Sequence, residues 1–72
     1  MIKYTPFWEK LKSSEESTYT LTKDYNISSA TLDKLRHNKP VNTTTINDLC
    51  RIFDCPIEEI AVYVPSDEDQ KL

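Results

Sequence analysis

The 72-residue sequence has no glycine, one histidine, one methionine and two cysteines. Each scarcity removes a class of function. Without glycine there is no glycine-rich phosphate loop, and any tight turn must be built from other residues. With His37 as the lone histidine, no Ser/His/Asp arrangement can be argued, and no strained nucleophile turn is present. Cys50 and Cys55 with one histidine fall short of the four nitrogen or sulfur ligands of a zinc site, so both read as structural thiols. No signal peptide is evident and no apolar run is long enough to span a membrane, so the expected location is cytoplasmic, with the thiols reduced. Glu58-Glu59 and Asp67-Glu68-Asp69 read as solvated charges without a cleft to perturb them. The chain is therefore expected to be no enzyme, to use no cofactor or metal, and to offer no evident small-molecule site.

The net charge is −3, which at first argues against nucleic acid, but its distribution is uneven. Residues 23–39 carry Lys23, Lys34, Arg36 and Lys39 against Asp24 and Asp33, a balance of +2. Residues 54–72 sum to −5, and the remainder is neutral. One face could thus meet phosphates while the acidic end stays away. The length allows one domain, expected over residues 1–65, with 66–72 as an acidic flexible tail. A core this small implies modest stability unless the chain dimerises.

The positive segment also has a recognisable shape. Leu21 and Tyr25 lie four apart on one face of a short helix, and Leu32 and Leu35 three apart on one face of a second. Between them, Asn26 can take a left-handed backbone, Ile27 supplies an apolar plug, and Ser28 is a good N-cap. Two short helices so joined form a helix-turn-helix, whose second helix can enter the DNA major groove.

The run Ile27-Ser28-Ser29-Ala30-Thr31-Leu32-Asp33-Lys34-Leu35-Arg36 is followed by Lys39-Pro40-Val41. Then come Thr45-Ile46-Asn47-Asp48-Leu49-Cys50 and Phe53-Asp54-Cys55. Together they resemble the small bacterial and phage Cro/repressor-type regulators, the lambda-repressor-like or XRE group. The resemblance covers about residues 4–64. It implies an all-α fold of five short helices and a sequence-specific DNA-binding transcriptional regulator, a repressor or Cro-like protein. Its recognition helix would span residues 28–37. The partners so implied are double-stranded DNA and, as a candidate assembly, a homodimer. By the same resemblance, Ser28, Ser29, Ala30 and Lys34 reach base edges, and the start of the second helix abuts the DNA backbone. Ser17, Thr18 and Tyr19 there either donate to phosphates or simply cap the helix. Arg36, His37, Asn38 and Lys39 are the phosphate candidates after the recognition helix. For Lys34 the alternative is a solvated lysine, and for His37 an exposed helix end.

The other segments read as supports. Tyr4, Phe7, Trp8 and Leu11 mark an amphipathic helix from about Pro6, packed across the helix-turn-helix with Trp8 as a core residue. Asn38 suits a left-handed C-cap, and Pro40 ends the helix. Asn42 or Thr43 caps a fourth helix with Ile46, Leu49, Cys50 and Phe53 as its apolar stripe. Pro56 opens a fifth, with Ile57, Ile60 and Ala61 inward. Val62-Tyr63-Val64-Pro65 is expected as an extended segment and is the candidate dimer contact. The competing expectation is a protein-interaction module of the same fold, an antitoxin, anti-repressor or accessory subunit, which the acidic net charge favours.

Overall fold

Short polar side chains decide where the helices of this chain start. In the computed structural model, which describes residues 1–72, four α-helices follow one another: α1 (Thr5–Ser13), α2 (Thr18–Tyr25), α3 (Ser29–Arg36) and α4 (Thr43–Phe53). Pro6 sits in the first turn of α1, where its missing N–H leaves no gap. Ser17 and Thr20 form a reciprocal capping box on α2, each side chain accepting from the other's backbone N–H. Ser28 caps α3 and Asn42 caps α4, each accepting from the N–H three residues on.

Helix ends are marked just as locally. Asn26, Asn38 and Asp54 have φ of 59°, 55° and 49°, the left-handed conformation a glycine would usually supply. After α3, the Lys39 N–H returns to the Lys34 carbonyl at 2.8 Å, and after α4 the Cys55 N–H returns to Cys50 at 3.0 Å. These bonds satisfy carbonyls the helices leave open. Asn38 does more than turn the chain, because its side-chain oxygen accepts from the Tyr4 N–H at 3.0 Å. Glycine should therefore act in opposite directions at two of these positions. Asp54→Gly is expected to raise stability by about 0.5 kcal/mol by removing the left-handed strain. Asn38→Gly is expected to lower it by about 1 kcal/mol, because the Tyr4 N–H loses its partner. Urea midpoints of the two variants check the pair, and shifts of the same sign would refute the contrast.

Five helices are expected from the sequence pattern, but four form. Pro56 does begin a helical turn, yet it is a single 3₁₀ turn, Ile57–Glu59. Its continuation is prevented by competing partners. The Ile60 carbonyl accepts from the Phe7 N–H at 3.1 Å, and the Val64 N–H donates to Met1 at 2.9 Å. In an α-helix those two groups would bond each other. The chain instead enters a strand, β2 (Val62–Tyr63), antiparallel to β1 (Ile2–Lys3), with Ile2 opposite Tyr63 and Lys3 opposite Val62. Residues 1–3 are thus half of a clasp that joins the two ends of the domain.

Tyr4, Phe7, Leu11, Leu21, Ile27, Leu32, Leu35, Leu49 and Ile60 form one core, with Trp8, Ile46, Cys50 and Phe53 partly buried against it. Each fully buried aliphatic or aromatic side chain stabilises by roughly 1.5–3 kcal/mol. Two expected core residues are outside. Tyr25 is 42% exposed, and its hydroxyl donates to Glu16 at 2.9 Å. The turn at Asn26 brings Ile27 into the core in its place. Ile57 is 54% exposed, since the residue that turns inward is Ile60, just past the 3₁₀ turn. No helix is long and apolar enough to cross a membrane.

Candidate nucleic-acid interface

The α2–turn–α3 unit is held from below by Leu21, Ile27, Leu32 and Leu35, all buried. That leaves the opposite side of α3 free. Ser29, Ala30, Asp33, Lys34, Arg36 and His37 are all exposed there. Helical spacing of three and four places Ser29, Ala30, Asp33, Lys34 and His37 along one outward face.

The sequence-expected site residues fall into three groups. Thr18, Ser29 and Arg36 come together, lining one shallow groove of about 410 Å³ between α2 and α3 with Tyr19, Thr22 and Leu32. Ala30, Lys34, His37 and Lys39 are exposed around it. Ser17, Ser28 and Asn38 are engaged in structural bonds. Ser17 lies on the Glu16 side of α2, tied to Thr20. The Ser28 hydroxyl accepts from the Thr31 N–H at 3.1 Å and donates to the Thr31 hydroxyl at 2.9 Å. Thr31 thus serves the cap of α3. Asn38 lines a separate hollow with Tyr4, Val41 and Ile46, consistent with its bond to Tyr4.

Cations dominate the later part of the face. Lys34 and Arg36 occupy the last turn of α3, where the helix dipole favours positive charge. Lys23 on α2 lies over the Tyr19 ring at 5.5 Å. Asp33 is the one acid on the outward face of α3. Its carboxylate lies 3.6 Å from Arg36 and 3.5 Å from the Nδ1 of His37. These contacts are loose and exposed, so each contributes only a few tenths of a kcal/mol.

Two residues matter more than sequence reasoning allowed. Trp8, read as core, donates from Nε1 to the Leu35 carbonyl at 3.3 Å, and the Arg36 guanidinium stacks 5.3 Å from its ring. One turn earlier, Tyr4 donates its hydroxyl to the Lys39 carbonyl at 3.0 Å. Burial pushes that hydroxyl above the usual tyrosine range, against a smaller opposing pull from the Val41 backbone. So α1 and the residue that precedes it brace the end of α3 and the loop beyond it, at the Leu35 and Lys39 carbonyls. The spacing of Tyr4 and Trp8 revealed a shared face, but nothing local revealed the carbonyls they reach.

The remaining polar features belong to the scaffold. Asn42, Thr43 and Thr44 begin α4 just beyond the loop and are exposed. Cys50 and Cys55 are free thiols. Burial, with Cys50 and Glu59 nearby, pushes the Cys55 thiol up, which disfavours the reactive thiolate. A hydrogen bond to Glu59 at 2.6 Å raises the Lys10 ammonium and ties α1 to the 3₁₀ turn.

An exposed helix face with Lys34 and Arg36 in its last turn, mounted on a capped helix-turn-helix, is a surface suited to phosphates and base edges. No curated protein and no solved structure matches the chain. A family model for the Cro/C1-type HTH DNA-binding domain matches residues 7–66. The match runs from Phe7 within α1 to Ser66 just past β2 and includes the whole exposed face, and the chain belongs to the Cro/C1-type helix-turn-helix DNA-binding family.

Proposed function

We propose that this DNA-binding protein is a sequence-specific transcriptional regulator, a repressor or Cro-like switch, that acts by occupying an operator. The observation that carries this reading is the outward face of α3, exposed and basic at its end, in a chain whose family is defined by DNA binding. Ser29, Ala30 and Lys34 meet base edges. Serine suits several base pairs, alanine a thymine methyl, and lysine guanine acceptors. Ser28 serves mainly to start the helix. Thr18, Arg36, His37 and Lys39 meet phosphates, and Ser17 and Asn38 hold the backbone that presents them. A two-fold dimer sets two copies of α3 in successive major grooves, about 34 Å apart. Val62 and Tyr63, 42% and 63% exposed, support β2 as the contact between copies.

The test is fluorescence anisotropy of a labelled random-sequence duplex, titrated with protein at low and physiological salt. Binding should weaken with salt, with a log–log slope of roughly −3 per protomer if three or four cations meet phosphates. No binding at low salt by protein shown to be folded would overturn the reading. The net charge of −3 and the exposed Ile2, Ile57 and Tyr63 favour a second reading, a protein-interaction module of the same fold. That reading expects partner capture to survive charge reversal at Lys34.

A further inference from the structure

The acid in the middle of the outward face of α3 is the feature that phosphate binding leaves unused. Asp33 sits one turn beyond Ser29 and Ala30, and one turn before Arg36 and His37. Its side chain is 62% exposed, and one carboxylate oxygen faces the Arg36 guanidinium and the His37 ring at 3.5–3.6 Å, too far for firm hydrogen bonds. The His37 ring is already held by the Asp33 backbone carbonyl at 2.9 Å, so it does not depend on the carboxylate for its place. Arg36 likewise has a second anchor, the Trp8 ring. Asp33 is therefore dispensable to the order of the face.

We infer that Asp33 is a specificity-determining residue, reading a base that presents an exocyclic amine in the major groove, cytosine N4 first of all. The inference rests on the reading of α3 as the helix that meets base edges. When the face docks, phosphates compete for Arg36 and His37 and leave the carboxylate without its partners. Against guanine or thymine it then faces only acceptors and the negative backbone, which opposes binding. Against cytosine it accepts a hydrogen bond from the amine, the pairing open to an acidic side chain in that groove. One residue thus weakens binding where it meets guanine or thymine and restores it at cytosine, which is how negative and positive selection combine.

The experiment is selection from a pool of randomised duplexes by the parent chain, Asp33→Asn and Asp33→Ala, with circular dichroism confirming each fold. The parent is expected to enrich a motif with a cytosine at one position of each half-site. Asp33→Ala should lose about tenfold of preference at that position alone, while its affinity for random duplex rises. Asp33→Asn, which adds a donor, should shift the preference toward adenine. A parent motif that both variants reproduce unchanged would overturn the inference and leave the regulator reading standing. A parent that binds with salt dependence yet enriches no motif would overturn both.

Discussion

A Lys34→Glu variant is expected to fold like the parent and to lose DNA binding by about a hundredfold at physiological salt, since a groove contact of this kind contributes roughly 1–3 kcal/mol and is made twice in a dimer. Lys34 is exposed in the last turn of α3 and makes no salt bridge within the chain, so its replacement should leave stability within about 0.5 kcal/mol. Reversal also cancels the +2 balance of residues 23–39 and places a second acid beside Asp33. Lys34→Gln separates the two effects. It removes the charge without repulsion and should lose only about tenfold. Anisotropy titrations of both variants, beside thermal melts, make the measurement. Unchanged binding in both would mean that α3 does not face the DNA.

The second large effect is on the fold. Phe7→Ala is expected to abolish cooperative folding at 37 °C. Phe7 is fully buried, and its ring meets Trp8 edge-on at 4.8 Å and Phe53 at 6.1 Å. Truncating such a ring costs about 3–5 kcal/mol. A domain of this size has a total stability on the order of 5 kcal/mol. The loss also reaches the interface, because Trp8 is the residue that holds Arg36 and the Leu35 carbonyl. Phe7→Leu, which keeps most of the volume, should cost about 1 kcal/mol and retain a clear transition. The check is a thermal melt by circular dichroism. A Phe7→Ala melt within a few degrees of the parent would contradict this account of the core.

The part of this structure that was legible in the sequence is the part determined by near neighbours. Ser17, Ser28 and Asn42 cap helices because their oxygens lie within three residues of the N–H groups they satisfy. Asn26 and Asn38 turn the chain because their own backbones tolerate the left-handed region. The outward face of α3 follows from the spacing of Leu32 and Leu35 alone. What could not be read depends on residues far apart. The clasp pairs residue 2 with residue 63, and neither strand is long enough to show an alternating pattern. The fifth helix was expected from Pro56 and an apolar spacing, but the partners that end it are Phe7 and Met1. Tyr25 fitted an apolar stripe by position, yet its hydroxyl finds Glu16 and keeps the ring at the surface. In the interface, the exposed cations could be named in advance. The division of labour between Ser28, bound to its cap, and Ser29, exposed in the groove, needed the hydroxyl geometry.

The clasp between β1 and β2 also bears on how the chain is born. Its first helix carries Phe7 and Trp8, but the backbone group that receives the Phe7 N–H lies at Ile60. On the ribosome, this aromatic surface would be made well before the Ile60 segment that covers it. Closing so distant a contact requires most of the chain to be available at once. The domain therefore has little scope to fold in stages as it emerges, and a product cut short before Ile60 would display the same aromatics to the chaperones and proteases that survey unfinished chains.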